Sequence, residues 1–354
     1  MQNCNEESFK DVNNKFMDNI NNKTDVWKIV QINRPSQCQS LQLSGHGKAD
    51  KISRLIYTNA GNAILALASN ATHLLWKWPQ NDLNLSGKAT TNVPPQLWQP
   101  RSCSQPMTND LTGRKLEEAV PCLALSKNNS YLLSASGGTI SLFNMLTFKI
   151  KSRLKGHSGK VTGLAFSKTM NVLVSSGADA QIFTWNPDGW EKCKSKSLQL
   201  PDERMPVLES NTQVQFHLDQ IHFLVVHETQ LSIHEANDLT CVQQWVPEDS
   251  TRISQATYSC DSQMVYACFT DGTVAIFGAS DLELKCQIIP TAYLPTSARL
   301  NVYPFAIAAH PQKSTQFAVG LTDGGVIVLE PPQHGKTWYV GENGSAIANG
   351  MLEE

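Results

Sequence analysis

Short apolar or alternating runs, separated by Gly, Asp, Asn and Pro, recur along the chain from residue 52 to residue 330. Runs this short, bounded by turn residues, predict β-strands, because a helix shows its 3.6-residue period only over about 10–12 residues. The clearest set lies at 156–186, GHSGKVTGLAFSKTMNVLVSSGADAQIFTWN. Runs at 161–166 and 172–176 flank one turn, and a tight turn at Asp179 leads into a third run ending on Trp185 and Asn186. A fourth run at 194–200 follows at the right distance to be the outer strand of the same sheet.

Five weaker copies of this set occur. Their first two runs are 52–57 with 64–69, 120–125 with 131–136, 214–217 with 221–227, 253–259 with 264–269, and 305–309 with 316–321. The positions equivalent to Trp185 are Trp76, Phe143, His234, Phe277 and Leu329, and successive intervals are 67, 42, 49, 43 and 52 residues. Four of the five match the period of one propeller blade. The longest contains 79–118, where Pro94-Pro95, Pro100 and Pro106 predict a long loop insertion. Asp271-Gly272 and Asp323-Gly324 supply the positive φ that a hairpin between second and third strands needs. The Gly-His to Trp-Asn spacing resembles the WD repeat, so the expected fold is all-β, a WD-repeat β-propeller with six visible blades.

The two ends of the repeat array are complementary. Nothing strand-like follows Leu329-Glu330, where Pro331-Pro332 ends the sheet, and an incomplete last blade leaves an open edge. The runs 27–32 and 38–43 precede the first repeat, so one of them is expected to supply the missing outer strand and close the ring. Residues 1–24 read as a disordered polar linker, 25–333 as the propeller, and 334–354 as a flexible tail.

In the best-formed repeat, His157, Ser175, Asp179 and Trp185 stand at the positions of the WD-repeat hydrogen-bond tetrad. A Ser, His and Asp set also invites comparison with a hydrolase triad. All four fall within one sheet and no Gly-x-Ser-x-Gly elbow surrounds Ser175, so they read as a structural network and no catalytic residue is assigned. The histidines 217, 222, 227 and 234 recur at spacings of five, five and seven on different strands, with no cysteine or carboxylate at ligand spacing, so no metal is expected. The basic runs 151–155 and 192–196 read as solvated outer strands that blunt sheet edges. No phosphate-cradling loop occurs, and no cofactor is expected.

Composition narrows the class further. The net charge of −2, from 29 basic and 31 acidic residues, provides no field to draw the chain to nucleic acid or an anionic membrane. Nine cysteines stand singly, which fits a reducing compartment, and no window suggests a signal peptide or a membrane span. The expected function is therefore a non-enzymatic protein-interaction scaffold with no small-molecule substrate. The turns at Asn70, Gly137, Gly138, Ala178, Asp179, Asp271 and Asp323 are the candidate interaction face, projecting together from one end of the ring.

Five strings carry a more specific resemblance: KISRLIYTNAGNAILALASNATHLLWKW (51–78), EEAVPCLALSKNNSYLLSASGGTISLFNM (117–145), GLAFSKTMNVLVSSGADAQIFTWNPDGWEK (163–192), QIHFLVVHETQLSIHE (220–235) and FAVGLTDGGVIVLEP (317–331). Over roughly 24–336 the chain resembles the C-terminal WD-repeat region of the plant Topless and Topless-related corepressors. The resemblance implies a nuclear protein that represses transcription in hormone, developmental or defence signalling. It implies transcription factors and histone-deacetylase complex components as partners. The family's helical domain and first propeller have no counterpart in this chain, and its pattern has one further repeat, seven in all, where this chain passes directly from Ile150 to Lys151. The alternative reading is another intracellular WD-repeat adaptor, such as a ubiquitin-ligase substrate receptor.

Overall fold

A computed structural model describes residues 30–44, 50–70, 72–98, 107–108, 122–127, 130–147, 149–199, 211–295 and 302–332 of the 354-residue chain. The segments expected to be a linker (1–24) and a tail (334–354) lie outside the described residues. Two short strands open the described part, β1 (Val30–Ile32) and β2 (Gln39–Gln42). Six sheets follow in chain order, each laid down as an antiparallel meander.

Blade 1 holds β3 (Ile52–Tyr57), β4 (Ala63–Ala68), β5 (Thr72–Lys77) and β6 (Gln96–Trp98), and β7 (Met107–Thr108) also pairs with β5. Blade 2 holds β8 (Cys122–Leu125), β9 (Tyr131–Ser136), β10 (Thr139–Asn144) and β11 (Ile150–Lys155). Blade 3 is β12 (Val161–Ser167), β13 (Val172–Gly177), β14 (Gln181–Asn186) and β15 (Glu191–Ser197). Blade 4 is β16 (Gln213–Phe216), β17 (His222–His227), β18 (Gln230–Glu235) and β19 (Cys241–Trp245). Blade 5 is β20 (Ile253–Tyr258), β21 (Met264–Phe269), β22 (Val274–Gly278) and β23 (Leu284–Ile288). Blade 6 is β24 (Pro304–Ala309), β25 (Phe317–Leu321) and β26 (Val326–Glu330).

Both N-terminal strands find edges, on different blades. Strand β2 runs antiparallel to β26, with Leu41 opposite Val328, and Leu43 N–H extends the ladder to Val326 O at 2.9 Å. It therefore supplies the outer strand of blade 6, and the choice between the two runs falls to 38–43. Strand β1 instead lies parallel on β23, with Gln31 opposite Gln287, as a fifth strand of blade 5. The stretch 79–118, expected as one loop, contains β6 and β7, which complete the outer edge of blade 1. The proline content that argued for a loop is compatible with short outer strands, because an edge position tolerates a missing N–H donor.

Five apolar clusters fill the joints between sheets. Cys122, Leu133 and Ile140 meet Phe183 and Trp185 between blades 2 and 3. Val174 and Ile182 meet Phe223 and Val225 between blades 3 and 4. Leu224 and Leu231 meet Val265 and Phe277 between blades 4 and 5, Tyr266 and Ile276 meet Phe317 and Val319 between blades 5 and 6, and Ala318 and Val328 meet Ile64 and Trp76 between blades 6 and 1. Inner strands are further tied by polar bonds. Ser176 Oγ donates to Thr212 O at 2.7 Å, Thr257 Oγ1 to Gln215 Oε1 at 3.0 Å, and Ser254 Oγ to Pro304 O at 2.6 Å.

Burial separates the blades into two classes. In blades 3 to 6 the middle strands are buried on both faces, as in β17, β21, β22 and β25. In blades 1 and 2 they alternate: Ala66, Leu74, Leu133 and Leu142 are buried, whereas Leu65, Leu75, Leu132 and Phe143 are only half-buried. A strand covered on both faces reads as a continuous apolar run, and one covered on a single face alternates.

Candidate functional site

The polar network of blade 3 is assembled by sheet register. Leu173 pairs with Trp185 and Ser175 with Phe183 across β13 and β14, while Asp179 occupies the turn between those strands. His157 enters from the segment between β11 and β12, and its ring stacks on Phe183 with centroids 4.1 Å apart. Trp185 Nε1–H donates to Ser175 Oγ at 2.9 Å, and Ser175 Oγ lies 2.8 Å from His157 Nε2. His157 Nδ1 lies 3.0 and 3.2 Å from the two Asp179 oxygens. Asp179 also accepts from Ser158 N–H at 2.9 Å and Gly159 N–H at 3.4 Å.

Proton directions follow from the chemistry of the ends. A carboxylate only accepts, so Nδ1 of His157 carries the hydrogen; Nε2 then accepts from Ser175, whose oxygen accepts from the indole. Burial holds the His157 imidazole below its ordinary pKa even though Asp179 pulls it upward. Burial alone would raise the Asp179 carboxyl, but the His157 hydrogen bond and the Ser158 and Gly159 amides keep it below the usual carboxylate range. Ser175 is fully buried and its oxygen is engaged on both sides. The distances match those of a hydrolase triad, but this hydroxyl has no approach for a substrate.

The expected interaction turns occupy equivalent places. Asn70 lies between β4 and β5, Gly137 and Gly138 between β9 and β10, Ala178 and Asp179 between β13 and β14, Asp271 between β21 and β22, and Asp323 between β25 and β26. Each blade has the same strand order, so these turns share one end of the array. Gly137 (φ +55°), Asp271 and Asp323 are exposed, while Asn70, Gly138, Ala178 and Asp179 are half-buried. Asp271 and Asp323 each cap their own turn, accepting from Thr273 N–H at 2.8 Å and Gly325 N–H at 3.0 Å. Asp179 also accepts from its own turn, from Gln181 N–H at 3.3 Å, and its carboxylate in addition turns inward to His157.

Sequence reasoning missed the other end. A pocket of about 390 Å³ opens where the first strands turn into the second, lined by Ile56, Tyr57, Phe216, Leu218, Tyr258 and His310 from blades 1, 4, 5 and 6. The buried hydroxyls of Tyr57 and Tyr258 have no hydrogen-bond partner, and burial raises both phenols above their ordinary pKa. No single repeat carries this signal, because each contributes only one or two residues.

The four histidines do not converge. His222 Nδ1 lies 2.6 Å and His217 Nδ1 3.2 Å from Asp219 Oδ2, an exposed cluster whose carboxyl is held at about 2: burial opposes the shift, and the bonds from His222 and Ile221 outweigh it. His227 and His234 are buried, His234 between Leu239 O and Ser232 Oγ. Among the described residues no group of three or more His, Cys, Asp or Glu side chains is placed to hold a metal ion.

Comparison with known proteins agrees with this architecture. The family described as WD domain, G-beta repeat matches residues 107–144 and 148–186. Topless-related protein 1 of Arabidopsis thaliana is 52% identical over 386 residues, covering 96% of this chain and 34% of that protein. Protein TPR3 of Oryza sativa subsp. japonica is 52% identical over 388 residues, with the same coverage, and Protein TOPLESS of Arabidopsis thaliana is 51% identical over 384 residues, covering 95% of this chain and 34% of that protein. The chain thus spans about a third of the length of these relatives. Its six-bladed array is a WD-repeat portion of the Topless and Topless-related family, to which the chain belongs.

Proposed function

We propose that this chain is a non-enzymatic protein-interaction scaffold of a nuclear transcriptional corepressor. The identity of 52% with Topless-related protein 1 across 96% of the chain carries the reading. By that resemblance its partners are transcription factors and histone-deacetylase complex components, in plant hormone, developmental or defence signalling. The blade 3 network supports a scaffold role, because Ser175, the hydroxyl beside His157, is sealed and committed to Trp185 and His157.

The second-to-third-strand turns are the docking face in this reading, with Gly137, Asp271 and Asp323 outermost and Asn70 and Gly138 beside them. Loops held by a rigid sheet array present side chains with little loss of entropy on binding. Affinity purification from plant nuclei tests it, comparing the unaltered chain with the double variant Asp271→Lys, Asp323→Lys. Repressor and deacetylase components are expected with the first and depleted at least about fivefold with the second, as loss of a 1 kcal/mol contact gives. Recovery of ubiquitin-ligase components in their place, or equal recovery by both chains, overturns the assignment.

A further inference from the structure

Exposed apolar side chains are not spread evenly over the array. Among the described residues the five most exposed large hydrophobic side chains are Leu146 (89%), Leu83 (83%), Leu85 (75%), Leu218 (62%) and Ile56 (57%). Leu146 lies between β10 and β11, Leu83 and Leu85 between β5 and β6, and Leu218 between β16 and β17, while Ile56 is next to last in β3. In a meander the first-to-second and third-to-fourth connections fall at the same end, so all five gather opposite the Asp271 and Asp323 turns. Apolar surface concentrated in this way marks an interaction surface, whereas singly scattered apolar residues do not.

Two of the five stand on a fixed projection. Trp78 N–H donates to Asn62 O at 2.9 Å and Ala89 N–H to Gly61 O at 2.7 Å, so both ends of 79–88 are anchored on one turn. Within the loop, Asn81 and Asn84 bond each other's backbone in both directions, at 3.2 and 3.0 Å. Asn84 Nδ2 donates to Lys88 O at 3.0 Å and Gln80 Nε2 to Leu85 O at 2.9 Å. A loop closed at its ends and held by its own side chains has given up its freedom before a partner arrives, which lowers the cost of binding. The ordering buries neither leucine; it holds both out.

The same end carries a receptor of matching chemistry. The pocket of about 390 Å³ has Leu218 and Ile56 as the exposed apolar members of its lining, with Phe216 half-buried beside them. Its volume falls in the range of roughly 300–1,000 Å³ that admits a drug-sized ligand, and two leucine side chains are smaller than that. Exposed Lys168 stands next to it, its N–H on Gln220 Oε1 at 3.1 Å, two residues from Leu218. On the projection, exposed Asp82 immediately precedes Leu83. Projection and pocket are therefore both apolar at the centre and of opposite charge at the margin. Where both lie on one face, a two-fold axis in that face, midway between them, makes the two contacts at once and closes the assembly at two copies.

We propose that this end of the array is a self-complementary face through which two copies of the chain pair. Leu83 and Leu85 of each copy enter the pocket of the other against Leu218 and Ile56, and Asp82 meets the other copy's Lys168. The inference is independent of the corepressor reading, and it leaves the second-to-third-strand turns of both copies facing outward.

Sedimentation and light scattering of the full chain from about 1 to 100 μM test it, and a dimer that dissociates on dilution is expected. The double variant Leu83→Ser, Leu85→Ser and the single variant Leu218→Ser, all at exposed positions, keep the Tm of the dilute chain and weaken the dimer at least about tenfold. Mixed together, the two variant chains pair with each other more tightly than either pairs with itself, because one intact projection then meets one intact pocket. Asp82→Lys weakens the dimer, and Lys168→Asp in the same chain restores it. A chain still monomeric at the highest concentration overturns the proposal, whether its end is bare or covered by another part of the same chain. A dimer indifferent to these substitutions also overturns it, as does open-ended association, which places projection and pocket on faces that do not close.

Discussion

Trp185 Nε1–H meets Ser175 Oγ at 2.9 Å, at the far end of a chain of contacts whose proton directions are set by the Asp179 carboxylate. Asp179 only accepts, so His157 faces it with Nδ1–H, and its Nε2 takes the serine hydrogen while the serine oxygen accepts from the indole. The network therefore has a single arrangement, joining the segment before β12 to the β13–β14 turn.

Breaking the network in its middle is expected to hurt more than breaking it at its end. His157→Ala leaves Ser175 and Asp179 each short of a partner, at about 1–3 kcal/mol per buried group. Trp185→Phe removes one donor and keeps most of the packing, which costs about 0.5–1.5 kcal/mol. Urea midpoints or calorimetric Tm values rank the two; equal losses, or no loss for His157→Ala, contradict the network.

Stability is expected to fall on mild acidification. Burial depresses His157, His227 and His310 below their ordinary 6.5, the last two to about 4. The unfolded chain then binds more protons than the folded one between about pH 6.5 and 4, so stability rises with pH across that window and is lost as pH falls through it. Each fully buried histidine contributes at most about 1.4 kcal/mol per pH unit. Denaturation midpoints at several pH values between 7.5 and 4.5 read the slope, and His227→Leu, at a site 2% exposed, should make it shallower.

The edge of blade 6 depends on a strand from the far end of the chain. Leu41 sits opposite Val328 in the β2–β26 ladder. Leu41→Pro removes a donor and a side chain from that pairing, leaves a buried carbonyl unpaired, and is expected to destabilise the fold by about 1–3 kcal/mol. It also uncovers β26 as an open edge that recruits other chains. Hydrogen exchange at 326–330 and light scattering check this; unchanged protection would show that β2 is dispensable.

The array was legible because its signals are local. Alternation and turn chemistry mark the strands and their spacing, and Trp76, Phe143, Trp185, His234, Phe277 and Leu329 keep one place in six sheets. The outer strand β6 was not, since Pro94-Pro95 and a three-residue run look like loop when the edge of β5 is out of view. Nor was the parallel attachment of β1, because Val30-Gln31-Ile32 carries no mark of its partner, about 256 residues away at Cys286.

The same locality hid both of the unexpected surfaces. Tyr57 and Tyr258 come from blades 1 and 5, and they line a pocket to which four blades contribute. Leu123 and Leu125 read as ordinary strand residues, and only their exposure distinguishes them from the buried Leu224 and Val265. Sequence pattern states which face is apolar. It does not state whether a neighbour arrives to cover it.

The pairing of β1 with β23 and of β2 with β26 also fixes a timetable. Val30 leaves the ribosome about 256 residues before Cys286, and at about 5–20 residues per second that interval is roughly 10–60 s. Through that time β1 and β2 have no edge to join, and by its end blades 1 to 4 have emerged. Nascent chains therefore carry two unpaired strands past four finished sheets, and closure of blades 5 and 6 is expected to be the slow step of maturation.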